Sequence, residues 1–258
     1  MSETLDRDRI LQVAGNAVTA VEVFQSLPST NRYLADAVRS GRITQPLAVL
    51  AETQSAGVGR RGKAWSSPAG NISLSLLSVF DVALARLNGL SLVTGVTVSE
   101  VLARECGLQV ALKWPNDVLL EGRKLAGLLV EVPSANSDRT CLVTGIGLNV
   151  IAPEEADISQ PVASLAEAET PPSRNALAGH LIAALHANYQ RFLAEGITPF
   201  LAAWRDQDYL RGREVNVIVG DHTERGTACG ITPGGELQVR IDGVVKNFNS
   251  GEVSVRRA

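Results

Sequence analysis

The stretch Gly57-Val58-Gly59-Arg60-Arg61-Gly62-Lys63 runs into Ala64-Trp65-Ser66-Ser67-Pro68-Ala69-Gly70, and this junction decides which folds the chain can adopt. Its glycines spell G-x-G-x-x-G, the dinucleotide-binding pattern, and also most of a phosphate-binding P-loop. Both motifs require a helix to begin directly after the glycines, because its N-terminal amides hold the phosphates. Pro68 and Gly70 disfavour that helix, and Ala64 stands where a P-loop needs serine or threonine. The sequence therefore argues against both nucleotide-binding folds.

The segments around this junction mix strands and helices in irregular order. Alternating or continuous apolar runs predict strands over 21–24, 47–51, 71–77, 110–114, 118–120, 124–132 and 141–150. Helical spacing and capping residues predict helices over 5–18, 30–41, 86–105, 173–195 and 198–209. This order favours an α+β fold with a mixed sheet over a doubly wound parallel sheet.

The sequence pattern changes after Arg211-Gly212, where short segments of alternating apolar and polar residues are separated by glycine-containing turns. Four or five strands in fewer than about 50 residues predict a small β-barrel. We therefore expect an N-terminal extension over 1–20, a main domain over 21–210 and a small barrel over 211–258. Residues 152–172 are polar and loop-like.

The overall composition excludes several classes of protein. The chain has 258 residues, and 45% of them are hydrophobic, which is enough to build a core. Its net charge of −3 excludes a general polyanion binder. No apolar run reaches the roughly 18 residues of a membrane helix. The polar N-terminus does not look like a secretory signal, so cytoplasmic location is expected, without membrane or nucleic-acid partners.

The cysteines and histidines offer little for metal or triad chemistry. Three scattered cysteines include no Cys-x-x-Cys pair, and the three histidines are not spaced as ligands. We therefore expect no metal-binding residues in the protein itself, and no Ser-His-Asp triad.

Two charged segments remain to be explained. The cations of the glycine-rich loop could be a solvated surface, or they could close on an anion with Trp65 as an apolar anchor. Lys113-Trp114-Pro115-Asn116-Asp117 ends a predicted strand, and Lys124 begins the strand that follows a Glu121-Gly122 turn. Asp117 and Lys124 could be a turn former and an edge-strand charge. Alternatively, the Lys124 ammonium lies at the edge of a pocket.

Five motifs in order resemble those of the biotin–protein ligases, and the resemblance covers about residues 25–258. They are Ser29-Thr30-Asn31, Glu52 to Trp65, Lys113 to Asp117, Arg123-Lys124-Leu125-Ala126-Gly127 and Gly145-Ile146-Gly147-Leu148-Asn149. The resemblance implies a mixed-sheet catalytic domain of the class II aminoacyl-tRNA synthetase and biotin ligase type, followed by an SH3-like barrel. Two alternatives stay open: a lipoate– or octanoate–protein ligase of related fold, and a non-catalytic biotin-binding protein.

The implied reaction has two steps and uses ATP with Mg²⁺. Biotin and ATP form biotinyl-5′-AMP, and the biotinyl group then passes to a lysine of a biotin carboxyl carrier protein. Only about 20 residues precede the first predicted strand. We therefore expect a single-function ligase without a DNA-binding domain. Homodimers are common in the family, although this sequence gives no independent sign of one.

The resemblance also implies roles for individual residues. The implied catalytic residues are Lys124, Arg60, Lys113 and Asp117. The implied biotin-binding residues are Ser29, Thr30, Asn31, Gln54, Gly57, Val58, Gly59, Arg60, Trp65, Lys124, Gly127, Leu128 and Gly145. The implied nucleotide-binding residues are Arg60, Arg61, Lys63, Trp65, Asn116, Lys124, Asn149 and Arg256.

One position departs from the family pattern. The family loop often carries an arginine where this chain has Val58. One cation fewer predicts a looser closed loop and faster loss of biotinyl-5′-AMP.

Overall fold

The structure is a computed structural model that describes residues 3–151, 161–168, 172–251 and 253–257. Its helices are α1 (Arg7–Ala14), α2 (Thr30–Arg39), α3 (Leu90–Cys106), α4 (Arg174–Glu195) and α5 (Thr198–Gln207). Its first seven strands are β1 (Ala20–Leu27), β2 (Leu47–Gln54), β3 (Ile72–Phe80), β4 (Ala111–Lys113), β5 (Asp117–Leu120), β6 (Arg123–Ala135) and β7 (Thr140–Leu148). The remaining strands are β8 (Glu214–Val219), β9 (His222–Ile231), β10 (Leu237–Ile241), β11 (Val244–Phe248) and β12 (Val253–Arg257).

The first seven strands form one mixed sheet in the order β1-β2-β3-β7-β6-β5-β4. Only β1 and β2 run parallel, and the other neighbours in this sheet are antiparallel. The predicted α+β class is confirmed, because a doubly wound fold would need a sheet of mainly parallel strands.

Different helices pack on the two faces of this sheet. On one face α1, α3 and α4 bury the main core, into which β3 directs Leu74 and Leu76. On the other face α2 covers a smaller apolar cluster that includes Leu77 and Val143. Because side chains alternate along a strand, Ser73 and Ser75 face the same side as α2. We call this second side the cavity face.

Local signals in the sequence match the ends of several elements. Glu121 and Gly122 join β5 to β6 with φ of 51° and 79°, the left-handed pair that a two-residue hairpin turn needs. Ser173 caps α4 by accepting a hydrogen bond from the Ala176 amide, and Gly196 ends that helix. The predicted hairpin and the predicted bounds of α4 are therefore confirmed.

The last five strands form a separate antiparallel sheet in the order β11-β10-β9-β8-β12. A partly buried hydrogen bond joins it to the main sheet region: the Trp114 indole N–H donates to the Gly235 carbonyl oxygen at 3.0 Å. The strands before α5 belong to the first sheet and those from β8 onward to the second. We therefore propose a domain boundary near residue 210. Part of the predicted polar loop, residues 152–160 and 169–171, lies outside the described residues.

The N-terminal segment is part of the folded structure. The α1 helix packs on α4, and the Leu5 amide donates to Glu52 on β2 at 2.7 Å. None of the described helices combines the length and the apolar character that a membrane crossing would require.

Candidate active site

A cavity of about 700 Å³ opens on the cavity face, between the sheet, the first turn of α2, the glycine-rich loop and β12. It brings together nearly every residue for which the sequence predicted a catalytic or ligand-binding role. The predicted residues that line it are Ser29, Thr30, Asn31, Gln54, Val58, Gly59, Arg60, Arg61, Lys63, Trp65, Lys113, Asn116, Asp117, Lys124, Gly127, Leu128, Gly145, Asn149 and Arg256. Gly57 is the exception, since it does not belong to the lining.

The floor of the cavity is one row of small residues across neighbouring strands. Register pairs Ser73 of β3 with Gly147 of β7, Gly147 with Gly127 of β6, and Gly127 with Asp117 of β5. Directly paired residues share a face of the sheet, so this row lies side by side under the cavity. The absence of large side chains here gives the cavity its depth, and Asp117 adds a charge at one end.

The glycine-rich loop folds back on itself as a small hairpin. Gly59 donates its amide proton to the Lys63 carbonyl at 2.7 Å, and Trp65 donates to the Gly57 carbonyl at 2.9 Å. Between these bonds Val58 bridges Ala64. The loop contains only a short 3₁₀ turn over Arg60–Gly62, and β3 follows. The prediction that no helix starts after the glycines is confirmed, and Gly57 acts in closing the loop.

The indole of Trp65 lies flat on the cavity floor. A Cβ atom at Gly147 would overlap the Trp65 ring, and one at Gly127 would lie 2.8 Å from it. Only glycine at both positions lets a ring approach the backbone this closely. The Trp65 ring thus fixes the end of the loop to the sheet.

Lys124 reaches the same floor because of an irregularity in β6. Asp117 pairs with Gly127 and Val118 with Ala126, but Leu119 pairs with Lys124, so Leu125 is an extra residue in β6. Such a β-bulge shifts the alternation of side chains. Lys124 and Gly127, three positions apart, therefore share the face of Asp117, while Leu125 is buried in the main core.

The Lys124 ammonium has two partners in the cavity. It lies 2.7 Å from a carboxylate oxygen of Asp117 and 5.2 Å from the centroid of the Trp65 ring. Cations over an indole face and beside a carboxylate are held by electrostatic attraction. Asp117 also pairs with Lys113 of β4. The Asp117 carboxylate itself is paired with Lys124.

The remaining cations line the same end of the cavity. Burial and the neighbouring Arg61 lower the pKa of the Arg60 guanidinium from its usual value, and Asp117 partly opposes this shift. A half-buried cation next to another cation is stabilised by an anionic ligand. Arg61 donates to Ser254 at 3.2 Å and to the Gly251 carbonyl at 3.4 Å, which ties the loop to the C-terminal sheet.

The opposite end of the cavity carries uncharged polar groups at the first turn of α2. The Thr30 amide donates to Gln54 at 2.8 Å, and the Thr30 hydroxyl lies 2.7 Å from the Ser75 hydroxyl. Ser29 caps α2 by accepting from the Arg32 amide. The Asn31 amide lies across Gly145, where a Cβ atom would overlap it. This end suits a neutral, hydrogen-bonding part of a ligand.

Two asparagine side chains use their amide nitrogens within the protein. Asn116 donates to the Leu128 carbonyl at 2.7 Å, and Asn149 donates to the Lys124 and Ala163 carbonyls at 3.3 and 3.1 Å. Both side chains line the cavity. Their amide oxygens are the atoms left to accept hydrogen bonds from a ligand.

Some residues of the site were missed in the sequence. Ser73, Ser75 and Gly147 line the cavity, and Glu131 holds the Asn31 amide. The alternation of β3 would have placed both serines on one face, but not which face carries the cavity. No local signal in the sequence distinguishes Glu131 from an ordinary exposed strand residue.

Comparison with known proteins identifies relatives of the whole chain. The sequence model described as "Biotin/lipoate A/B protein ligase family" matches residues 23–149, and "Biotin protein ligase C terminal domain" matches residues 211–256. The bifunctional ligase/repressor BirA of Escherichia coli K12 is 39% identical over 260 residues, covering 99% of this chain and 79% of that protein. The biotin–[acetyl-CoA-carboxylase] ligase of Mycobacterium tuberculosis is 33% identical, covering 96% of this chain and 92% of that protein.

A solved structure is similar over almost its whole length. The biotin protein ligase from Aquifex aeolicus in complex with biotin and ATP aligns with a TM-score of 0.79 and 26% identity. The alignment covers 93% of this chain and 100% of that one. Both the mixed sheet and the C-terminal sheet are therefore shared with that protein.

Proposed function

The chain belongs to the biotin/lipoate A/B protein ligase family, and we propose that it joins biotin to a carrier protein at the expense of ATP. Biotin and ATP first form biotinyl-5′-AMP and pyrophosphate. The biotinyl group is then transferred to a lysine of a biotin carboxyl carrier protein. The Mycobacterium tuberculosis relative carries the name of this activity, and the Aquifex aeolicus relative was solved with both small substrates.

One observation carries the proposal: a single cavity has an uncharged polar end at the first turn of α2 and a cationic end that contains Lys124 and Arg60. Biotin has the matching form, with a neutral cyclic urea at one end and a carboxylate at the other. Thr30 and Gln54 suit the urea, because both are neutral side chains that form hydrogen bonds. Lys124 and Arg60 suit the carboxylate and the phosphates of ATP.

In the first step a carboxylate oxygen attacks the α-phosphorus of ATP. The new C–O–P linkage forms as the bond from the α-phosphorus to the bridging oxygen breaks, and pyrophosphate leaves. Two anions must approach each other, so the barrier contains a large electrostatic repulsion. Lys124 and Arg60 offset that repulsion as fixed cations, with Lys124 held by Asp117 at 2.7 Å. Lys113, Arg61 and Lys63 line the same end.

In the second step the neutral amine of the acceptor lysine attacks the carbonyl carbon of the mixed anhydride. A C–N bond forms, AMP leaves with the C–O bond electrons, and the amine loses a proton. Water would attack the same carbon, so the intermediate must be covered. The hairpin that ends at Trp65 suits this task, since its residues line the cavity and the Trp65 ring anchors it against Gly127 and Gly147.

The two asparagines account for a preference for ATP. With their amide nitrogens bonded to backbone carbonyls, Asn116 and Asn149 offer oxygens to the cavity. The exocyclic amine of adenine has two N–H donors, whereas guanine carries an oxygen at that position. Arg256, which lines the same cavity, suits the phosphates of the nucleotide.

Mg²⁺ is proposed as an ion that ATP brings with it. No group of three or more His, Cys, Asp or Glu residues suited to a metal occurs in the described part of the chain. Mg²⁺ typically keeps several waters and binds through one or two carboxylates and substrate phosphates. The donor set available here therefore fits a nucleotide-borne ion, which would neutralise phosphate charge.

Biotin-dependent exchange between ATP and labelled pyrophosphate tests the function directly. The native chain should catalyse exchange with biotin. Lys124→Ala should lose about 10²- to 10³-fold of it, as expected when one fixed group that stabilises developing charge is removed. Lys246→Ala is the matched control, because Lys246 is paired with Glu224 on the C-terminal sheet, outside the cavity. Unchanged exchange in Lys124→Ala would remove this residue from the mechanism.

The same assay distinguishes the two alternatives. Exchange that depends on lipoate or octanoate in place of biotin would assign the related ligase activity. Tight biotin binding without exchange would indicate a non-catalytic biotin-binding protein. The match to a biotin protein ligase C-terminal domain favours biotin. Transfer to an isolated biotin carboxyl carrier domain tests the protein partner, and light scattering of the native chain tests homodimerisation.

A further inference from the structure

A carboxylate that the proposed chemistry does not use lies outside the cavity lining and binds Asn31, a residue of the uncharged end. Glu131 is on β6, paired with Val143, which belongs to the apolar cluster under α2. Its Oε2 accepts a hydrogen bond from the Asn31 Nδ2 at 2.9 Å. The Leu129 carbonyl accepts from the same nitrogen at 3.4 Å.

Glu131 determines the orientation of the Asn31 side-chain amide. An ionised carboxylate and a backbone carbonyl can only accept hydrogen bonds, so both must face the NH₂ group. The Asn31 Oδ1 then faces the Ser75 hydroxyl, 2.5 Å away. Because an amide oxygen cannot donate, the Ser75 hydroxyl must give its single proton to Asn31.

The same reasoning fixes the next hydroxyl. The Ser75 and Thr30 oxygens are 2.7 Å apart. Since the Ser75 proton points to Asn31, Thr30 must donate to Ser75. The Gln54 Oε1 lies farther from the same hydroxyl, at 3.1 Å, and is a second acceptor for its proton. Gln54 also accepts from the Thr30 amide at 2.8 Å.

We propose that Glu131 is a positioning residue that sets the direction of the chain Thr30 to Ser75 to Asn31 to Glu131. With its proton committed to Ser75, the Thr30 hydroxyl offers only lone pairs to the cavity. It can accept from an N–H of a bound ligand, and it cannot donate to a ligand oxygen. This inference rests on the proposed function. If biotin is the ligand, the fixed direction of the chain makes Glu131 the origin of selectivity for a cyclic urea over a cyclic carbamate.

Replacing an acceptor by a donor reverses the chain. In Glu131→Lys the ammonium must face the Asn31 oxygen, so the Asn31 amide turns over and donates to Ser75. Ser75 then donates to Thr30, and the Thr30 proton turns either to Gln54 at 3.1 Å or to a ligand oxygen. We expect the KM for biotin to rise at least about tenfold, with kcat and the KM for ATP changed less than threefold.

The selectivity is measured with the two cyclic carbamate analogues of biotin, in which one ureido N–H is replaced by a ring oxygen. The native enzyme should have a far higher kcat/KM for biotin than for the analogue whose ring oxygen faces Thr30. Two acceptor oxygens would then meet without a proton between them, and a site built to bind an N–H strongly rejects such a ligand. Glu131→Lys should reduce that ratio of kcat/KM values at least about tenfold. Ser75→Ala removes the nearer acceptor of the Thr30 proton and leaves only the more distant Gln54, so it should reduce the ratio similarly. These two variants test one direction by independent routes.

A second substitution should restore the original direction. In the double variant Glu131→Lys with Asn31→Asp, the new carboxylate accepts from both the introduced ammonium and the Ser75 hydroxyl, so Thr30 again donates to Ser75. The preference for biotin should return to within about threefold of the native ratio. Glu131→Gln is the isosteric control, because its amide oxygen can still accept from Asn31, and it should keep most of the preference.

The outcomes separate this inference from the proposed function. If the native chain catalyses no biotin-dependent exchange, the proposed function fails. If it does, and the biotin-to-carbamate ratio is unchanged in both Glu131→Lys and Ser75→Ala, the inference is overturned. A ratio that drops in Glu131→Lys but does not recover in the double variant also overturns it. If Glu131→Lys does not fold, the other two variants decide. The biotin-to-carbamate ratio must then be native-like in the double variant and reduced in Ser75→Ala.

Discussion

The Lys124 ammonium lies 2.7 Å from the Asp117 carboxylate, and both side chains are only 16% exposed. The two-residue turn pairs Lys124 with Leu119, which lies two positions after Asp117 on the same face of β5. The extra residue Leu125 then brings Gly127 to this face as well, so that the ion pair lies beside the glycine floor. An ion pair at the edge of a cavity holds the lysine in one position while leaving its remaining protons for an anionic ligand.

Asp117→Asn keeps the shape of the side chain and removes its charge. We expect kcat for biotin-dependent pyrophosphate exchange to fall about 10- to 100-fold, because a hydrogen bond to a charged group contributes about 1.5–3 kcal/mol. The KM for biotin should not rise, since Lys124 no longer shares its charge with a carboxylate. Initial-rate measurements over a range of biotin concentrations give both constants. Asp138→Asn, on the exposed turn before β7, is the control. A kcat within twofold of native would contradict the role of Asp117.

Gly147→Ala should displace the loop without unfolding the sheet. The added methyl group would overlap the Trp65 ring, and forcing extra atoms into a filled space costs about 1–3 kcal/mol. The cheapest response is for Trp65 to leave the floor. We therefore expect the KM for biotin to rise about 10- to 100-fold, with Trp65 more accessible to a fluorescence quencher.

The control for this variant is Gly234→Ala. Its Cβ would meet only the Thr232 hydroxyl at 3.6 Å, an ordinary contact. Equal effects of the two substitutions would show that Trp65 does not depend on the glycine floor.

Val58→Arg tests the departure of the loop from the family pattern. Val58 lines the cavity and bridges Ala64 across the hairpin. An added guanidinium beside the phosphate of bound biotinyl-5′-AMP should slow its release about tenfold, the effect of one charge-assisted hydrogen bond. Release is followed by trapping the free intermediate with hydroxylamine. Val58→Leu, which adds bulk without charge, should release it at the native rate. An unchanged rate in Val58→Arg would dismiss the importance of this position.

Two buried tryptophans allow a matched test of the contact between the sheets. The Trp114 indole donates to the Gly235 carbonyl, whereas the Trp204 indole nitrogen is buried with no hydrogen-bond partner among the described residues. Trp114 is 1% exposed and Trp204 is 2% exposed, so replacement by phenylalanine removes a similar volume. Trp114→Phe also leaves the Gly235 carbonyl unpaired. We expect it to lower the free energy of unfolding by about 1–3 kcal/mol more than Trp204→Phe does.

Urea unfolding followed by circular dichroism measures this difference. Because Trp114 is next to the Asn116 and Asp117 turn, exchange activity in the Trp114 variant should fall as well. Equal stability losses in the two variants would mean that the hydrogen bond to Gly235 contributes nothing to folding.

Local patterns in the sequence were sufficient for much of the fold. The turn at Glu121 and Gly122 needs left-handed backbone at two successive positions, and a glycine supplies one of them. The helix from Arg174 to Glu195 has a serine before it and a glycine after it. The same kind of evidence ruled out a helix after the glycine-rich loop. Each of these features depends on neighbouring residues only, so the order of amino acids is enough to predict it.

The cavity depends on contacts between distant segments. Register alone aligns Ser73, Gly147, Gly127 and Asp117 in one row, and register follows from how all the strands pack. Glu131 acquires its place only because α2 lies across β6 and brings Asn31 to it. The sequence by itself determined the elements, the motifs and the chemical types of the site residues, since these depend on short-range chemistry. Which side chains meet, and on which face, was decided only by the tertiary structure, because strand pairing and a single bulge set it across the whole sheet.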